Sequence, residues 1–383
     1  MRQSILITTD WFSPGYKAGG IIRTCYNLVR LLEDHYSIYI LTTDRDLGDQ
    51  EPYENIVADQ WTKFSNSIQI YYASPQALNW RNIRQQIKSV NAESIYINSM
   101  FSKHFTVWPL LMKKMGIIKS NIIVSPNGML KVKALNIKPL KKKPFLLMLK
   151  LMGAAKFISF HASDVEEKKR ITTIFGQNAV IWQIFNPPPP TDDQLNYISK
   201  KAGIIKMAFI GRIHPIKNLH FLINCLQTLS QIVELTIIGP IEDKQYYNEC
   251  NELIKRLPKS IKVSFTGEVT NEKITDYLQE NHFMVLPSLG ENYCYAIVES
   301  FCAGRPVIIS DQTPWRNLTE KKAGWDLPLI ENAFIETLKI AADMDNEEYS
   351  TWSTSAWEFA KYINNSNYKT DYIRMFDNAK MPV

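Results

Sequence analysis

The run Asn186–Pro190, NPPPP, does most to constrain how this chain can fold. Four consecutive prolines can neither continue a helix nor pair inside a sheet, and they make a stiff, extended spacer. On both sides of the run, short apolar stretches alternate with amphipathic ones. Before it, Ser4–Thr9, Ser37–Thr43, Ser67–Ala73, Ser94–Asn98 and Asn121–Ser125 read as buried strands. Helical patterns lie between them at Ile21–His35 and Gln76–Val90, with Leu28, Leu31 and Leu32 on one face of the first. After the prolines, Met207–Gly211, Leu235–Gly239, Val263–Gly267, Phe283–Pro287 and Pro306–Ser310 are strand-like. Helical patterns follow at Leu219–Ser230, Tyr246–Arg256, Glu272–Glu280 and Tyr295–Ala303.

Alternation of this kind is the signature of parallel sheets covered by helices on both faces. A chain of 383 residues has room for two such units. The expectation is an α/β protein of two Rossmann-like, doubly wound domains facing a cleft, 1–185 and 186–365. A terminal helix in 366–383 is expected to pack back on the first domain. Several strands end in Gly or Pro at their carboxyl edge, which is where open parallel sheets bind ligands.

Five cysteines, Cys25, Cys225, Cys250, Cys294 and Cys302, are scattered with no C-x-x-C pair. They form neither a disulfide framework nor a zinc motif, and they suit a reducing compartment. The N-terminal apolar run meets Asp10 too early for a signal peptide, and no apolar stretch reaches the roughly 18 residues of a membrane span. The expected location is the cytoplasm or the inner face of a membrane. Charge is unevenly placed. Between Glu93 and Asp164 there is no acidic residue and no arginine, while twelve lysines fall there (103, 113, 114, 119, 131, 133, 138, 141, 142, 143, 150 and 156). That stretch is +12 in a chain of net charge +6, so the remainder sums to −6. A one-sided field of this size attracts phosphates.

Two motifs carry chemistry. The first is Gly211–Asn218, GRIHPIKN, between a strand and a helix. Arg212, Lys217 and the free amides of a helix start make a site for a diphosphate. The same residues also read as a solvated loop with two ordinary cations. The second is Pro287–Asp311, with Glu291 and Glu299 in a Glu-x₇-Glu spacing. Glu291 lies in a loop after a strand and Glu299 two turns down the next helix. One acid can therefore reach a reacting sugar while the other reaches a hydroxyl further along the same ligand. Glu299 sits among Ile297, Val298 and Phe301, and a buried acid needs a partner.

These motifs, about 80 residues apart, resemble family 4 of the retaining nucleotide-sugar glycosyltransferases, which have the GT-B fold. The resemblance runs along nearly the whole chain. It is nearest to a bacterial branch making surface polysaccharides, through PGYKAGG, TTDRD, NSMFS and SDQTPW. It implies that Arg212 and Lys217 bind the donor diphosphate, that Glu299 binds the ribose, and that Glu291 lies by the sugar. It also implies backbone contacts from Asn292, Tyr293 and Cys294 to sugar and phosphate. Gly19 and Gly20 would approach the phosphate closely, having no side chain in the way. Glu268 and Val269 would hold the base.

Two departures stand out. Cys294 takes the place of a glycine, and Asn127, in SPNGML, stands where many members have a histidine near the sugar. Asn127 can hydrogen-bond a hydroxyl but carries no proton at neutral pH. His161, in FHASD, resembles the HATS run of the branch. It reads either as a group near the substrate or as a satisfied core histidine.

The resemblance implies transfer with retention, and no metal or cofactor. The partners implied are a nucleotide sugar and a saccharide acceptor. The basic, apolar Lys-rich 131–156 reads either as a stretch lying on an anionic membrane surface, where a lipid-linked acceptor would be presented, or as a solvated helix whose lysines aid solubility. A nucleic-acid partner is not expected, because the basic stretch lacks arginine. A sugar-nucleotide epimerase and a non-catalytic nucleotide-sugar-binding subunit remain alternatives.

Overall fold

A computed structural model describes residues 2–136, 139–365 and 367–378. Lys138 of the basic stretch, and residues 366 and 379–383 of the terminal segment, lie outside the described residues. The chain divides into two compact units, Met1–Pro187 with Asn367–Val383, and Pro188–Ser366.

In the first unit the strands are β1 (Ser4–Thr8), β2 (Ser37–Thr43), β3 (Trp61–Lys63), β4 (Ile68–Ala73), β5 (Ser94–Ile97), β6 (Asn121–Val124), β7 (Ser159–Ala162) and β8 (Ile181–Gln183). They form one sheet in the order β3-β4-β2-β1-β5-β6-β7-β8. All neighbours are parallel except β3, which pairs antiparallel with β4 at the edge. Side chains alternate between its faces. Leu6, Ile95, Ile97 and Val124 enter one core. Ile5, Ile7, Ile38, Ile40 and Tyr96 enter the other, beneath the helix Gly20–Leu32. Tyr372, Met375 and Phe376, from the helix Tyr368–Asp377, pack into that second core. The Tyr36 hydroxyl donates to Asp377 across 2.8 Å and anchors the end of the helix.

The second unit has a wholly parallel sheet of β9 (Ile204–Ile210), β10 (Ile232–Ile238), β11 (Ile261–Gly267), β12 (Phe283–Leu286), β13 (Val307–Ser310) and β14 (Gly324–Leu327). Its order is β11-β10-β9-β12-β13-β14. The central strands are buried end to end, as a sheet covered on both faces requires. Arg305 is wholly buried here. Its guanidinium donates to the carbonyls of Leu278 and Gln279, which close the helix Asn271–Gln279, and to that of Asn196. With Nη1 donating to the Gly304 carbonyl, each of its three nitrogens has an acceptor, which is how a buried guanidinium is tolerated.

In each sheet the strand order reverses at one point, between β1 and β5 and between β9 and β12. In open parallel sheets the loops leaving the carboxyl edge at such a reversal are where ligands bind.

Candidate functional site

In the second unit the loops after β9 and β12 flank the reversal and are laced together. The carbonyl of Ile216 accepts from the Leu289 amide at 2.8 Å and from the Ser288 hydroxyl at 3.0 Å. Above this lacing, Lys217 Nζ lies 2.6 Å from Glu291 Oε1, with side chains only 13% and 11% exposed. Burial works against the Lys217 ammonium, but the charge and hydrogen bond of Glu291 outweigh it, so its pKa stands above the ordinary lysine value. Gly211 makes room for that lysine. A β-carbon there would sit 3.3 Å from Lys217 Cε. The two motifs are thus joined by one charge pair.

Arg212 is placed differently. Its side chain is half exposed and pairs with Glu242, in the loop after β10. Its charge nonetheless disfavours the Lys217 ammonium, so the two cations lie near one another. An exposed pair of this kind contributes little and is easily exchanged.

Glu299 falls on the second turn of the helix Tyr295–Cys302 and is 7% exposed. The helix opens at Cys294, which has left-handed backbone angles (φ 62, ψ 82) and provides no side-chain cap. The Ile297 amide turns back to the Cys294 carbonyl at 3.1 Å, and the positive end of the helix dipole faces the loop. Left-handed backbone in a non-glycine residue costs about 1 kcal/mol. The glycine expected here is thus replaced without loss of its conformation. Burial, then the nearby Glu291, push the Cys294 thiol up to about 12, so it is a neutral thiol. Asn292 is half-buried and Tyr293 buried in the same loop. Glu268 and Val269 follow Gly267 at the end of β11, Glu268 being exposed.

In the first unit the loop after β1 carries Gly19 and Gly20. Gly19 takes φ 62 and precedes the helix. A β-carbon on either glycine would meet no described atom within 4 Å, so nothing in the fold itself demands glycine at position 20. The loop is held from beneath. Asp46, from TTDRD, is buried, and its Oδ2 accepts from the Tyr16 amide at 2.6 Å and the Lys17 amide at 3.0 Å. Asp10, at the end of β1, accepts from Ser102 at 2.6 Å, and burial raises its pKa against that hydrogen bond. Asn127 takes left-handed angles (φ 50) and donates to Asn98 Oδ1 at 2.8 Å. Its own Oδ1 is buried and has no donor among the described residues. The next amide, Gly128, donates to the buried Glu167 at 2.6 Å.

His161 requires a correction. It has no solvent exposure. Nδ1 pairs with the Tyr96 hydroxyl and Nε2 with the Ile184 carbonyl, both at 2.8 Å. Tyr372, from the C-terminal helix, covers the ring edge-on. Burial pushes its pKa down to about 4. His161 is a satisfied core residue with both nitrogens engaged, and the expectation that it reaches substrate is withdrawn.

The structure adds residues that motif chemistry alone did not single out. Ser310 donates to the Ser288 carbonyl at 2.5 Å, Gln312 accepts the Glu291 amide at 3.1 Å, and Trp315 donates to the Tyr293 carbonyl at 2.7 Å. All three lie in or beside SDQTPW, so the signal was present in the sequence as a motif without an assigned task.

Comparison with known proteins bears on this site. Residues 205–341 match the family described as Glycosyl transferases group 1. The chain is 25% identical over 241 residues to the D-rhamnosyltransferase WbpZ of Pseudomonas aeruginosa, an alignment spanning 60% of this chain and 58% of that relative. Among solved structures, Alr3699/HepE of Anabaena, solved with UDP and glucose, superposes with a TM-score of 0.69 at 13% identity, covering 98% of this chain and all of that one. WaaG, a glycosyltransferase involved in lipopolysaccharide biosynthesis, superposes with a TM-score of 0.67 at 10% identity, covering 97% and 99%. At such identities the superpositions establish a shared GT-B fold. The match to the group 1 family model falls wholly within the second unit.

Proposed function

We propose that the protein transfers a hexose-type sugar from a nucleoside diphosphate to a saccharide acceptor, with retention at the anomeric carbon. The observation that carries this reading is the Lys217–Glu291 pair, a cation and an acid held together at the reversal of a parallel sheet. A departing diphosphate needs a cation and oriented amides. Lys217, Arg212 on release from Glu242, and the uncapped helix start at Cys294 would supply them without a metal. Glu291 then faces the sugar, and Glu299 takes the ribose. Glu268 and Val269 lie at the neighbouring strand end, suited to the base. Gly19 and Gly20, uncrowded by their own chain, suit close approach of a phosphate. Asn127, with an acceptor oxygen buried and without a donor among the described residues, suits a sugar hydroxyl. WbpZ is a D-rhamnosyltransferase, in keeping with sugar transfer, and WaaG is a glycosyltransferase involved in lipopolysaccharide biosynthesis, in keeping with a task in surface polysaccharide synthesis.

The acceptor belongs, on this reading, at an anionic membrane surface. No helix among the described residues is long and apolar enough to cross a membrane. The helix Pro139–Leu151, however, exposes Leu140, Leu147 and Leu151 at 89%, 57% and 80%. Those spacings put the three leucines on one line along the helix. Exposed Lys143 and Lys150 border the line on one side and Lys141 on the other. An apolar stripe edged with lysines suits insertion at an anionic lipid interface.

A thermal-shift panel of UDP-, GDP-, ADP- and CMP-sugars tests the donor reading, because a ligand that binds only the folded state raises its melting temperature. One nucleotide class should stabilise the protein, and its sugar should then pass to an acceptor. Free epimerised nucleotide sugar as the product would point to an epimerase instead. Binding without turnover would point to a non-catalytic subunit.

A further inference from the structure

We infer that Trp315 is a positioning residue for the sugar end of the donor site, an inference that rests on the donor reading above. Tyr293 is the hinge of that end. It separates Glu291 from Cys294, whose left-handed backbone turns the chain into the helix bearing Glu299. Its carbonyl accepts the indole N–H of Trp315 at 2.7 Å. The Tyr293 and Trp315 rings meet edge to face, 5.4 Å between centroids. Trp315 is braced in turn by Phe301, from the same helix as Glu299, at 5.9 Å.

The Trp315 segment grips the loop at a second point, since the Gln312 carbonyl accepts the Glu291 amide at 3.1 Å. The loop is thereby held on both sides of Asn292 by one segment after β13. A loop ending in a strained left-handed residue has alternatives that relieve the strain, and two hydrogen bonds from a braced aromatic segment select against them. The nucleotide end depends mainly on other groups. Lys217 and Arg212 come from the loop after β9, while the helix start at Cys294 and Glu299 are fixed by the helix's own hydrogen bonds, Ile297 N–H to the Cys294 carbonyl at 3.1 Å among them. Loss of the indole N–H should therefore blur the sugar position and leave nucleotide binding in place.

The experiment compares W315F, which keeps a ring and deletes the N–H, with W315H, which is smaller but can place a ring N–H at the position of the indole nitrogen. Affinities are measured by calorimetry for UDP, GDP and ADP and for UDP-glucose, GDP-mannose and ADP-glucose, together with release of free sugar to water. In W315F we expect nucleoside diphosphate affinity within threefold of wild type. The extra affinity contributed by the sugar should be lost, and sugar release should fall at least tenfold. W315H should do better than W315F on both sugar readouts, the reverse of the order that packing alone would give. Should W315F not fold, Trp315 replaced by benzothienylalanine, in which sulfur stands for the N–H at unchanged shape, makes the same test. A W315F protein indistinguishable from wild type, or one weakened equally for nucleotide and nucleotide sugar, overturns the assignment of Trp315. A wild-type protein that binds none of the probes overturns the donor reading itself.

Discussion

Lys217 and Glu291 are 74 positions apart in sequence and form an ion pair of 2.6 Å, nearly closed to solvent. Each is the other's compensation for burial. A ligand phosphate that takes the lysine must also reckon with the acid.

Removing the lysine should therefore cost twice. Lys217→Ala leaves Glu291 buried without its counter-charge, which should lower stability by roughly 3 kcal/mol. Turnover should fall at least about tenfold to a hundredfold, as expected when one group stabilising a leaving diphosphate is lost. Denaturant unfolding and steady-state kinetics check the two effects. Wild-type turnover in this variant would refute the diphosphate role of Lys217.

Removing the acid should separate binding from chemistry. In Glu291→Gln the ammonium no longer has an anionic partner, and the diphosphate meets no like charge. The affinity of the free nucleoside diphosphate should rise about threefold to tenfold while sugar transfer falls. Calorimetry with the nucleotide selected by the donor panel measures the first, and product formation the second. Weaker nucleotide binding would show that Glu291 is not competing for the lysine.

Position 294 offers a test of backbone strain. Cys294 holds φ 62, where glycine carries no penalty and a β-branched residue a large one. Cys294→Gly should leave stability within about 1 kcal/mol of wild type, and Cys294→Val should cost at least about 2 kcal/mol. Thermal unfolding of the pair decides it. Equal stability of the two variants would mean that the loop simply rearranges.

Asp46 should matter to the glycine loop although it is buried beneath it. Asp46→Ala frees the amides of Tyr16 and Lys17 that the carboxylate now holds. Turnover should fall about tenfold and nucleoside diphosphate affinity by less, because the charged side chains proposed to hold the nucleotide lie in the other unit and the glycine loop adds only close backbone approach. If calorimetry shows nucleotide affinity falling in step with turnover, the loop is not a separate element of the site.

Lys200 supplies a pH dependence of stability. Its ammonium donates to the carbonyls of Ala342 and Met344, both at 2.8 Å, and burial lowers its pKa from 10.5 to about 8. Between those values the unfolded chain binds more protons at this site than the folded one, so this lysine's contribution to stability increases with pH from about 8 to 10.5. The wild type should gain on Lys200→Met as pH is raised through that window. Unfolding curves at pH 7.5 and 10 measure the difference, and a constant gap would mean that the folded pKa is not depressed.

For the membrane reading, charge in the leucine stripe is the direct probe. The triple variant Leu140→Glu, Leu147→Glu and Leu151→Glu should abolish flotation with anionic vesicles, and high salt should weaken it in the wild type. These side chains are exposed, so folding should be unaffected. Flotation of the triple variant at wild-type levels would show that another surface is in contact.

Much of this protein was legible in the chain because the determinants are local. β2 runs from Ser37 to Thr43 as its apolar pattern indicates, and most other strands differ by a few residues at an end. The short strands β3, β8 and β14 have too few alternating side chains to announce themselves, and become strands only because a neighbour offers a free edge. The helices Glu331–Asp343 and Asn346–Asn364 are likewise faint in the sequence, their apolar positions being diluted among polar ones. The Gly-Arg and Glu-x₇-Glu motifs could be found because a turn and a helix fix their own spacing.

What tertiary structure decided is which side chains meet. A charge in a loop after one strand and an acid after another become a pair only when β9 and β12 lie side by side, a matter of strand order rather than of spacing. The same holds in the negative for His161. Its motif suggested chemistry, yet the C-terminal helix, some two hundred residues later, lays Tyr372 over it and shuts it from solvent. Local sequence sets the conformation of a segment. The partners of a buried charge are set by long-range packing, because only the folded chain removes the water that would otherwise be the partner.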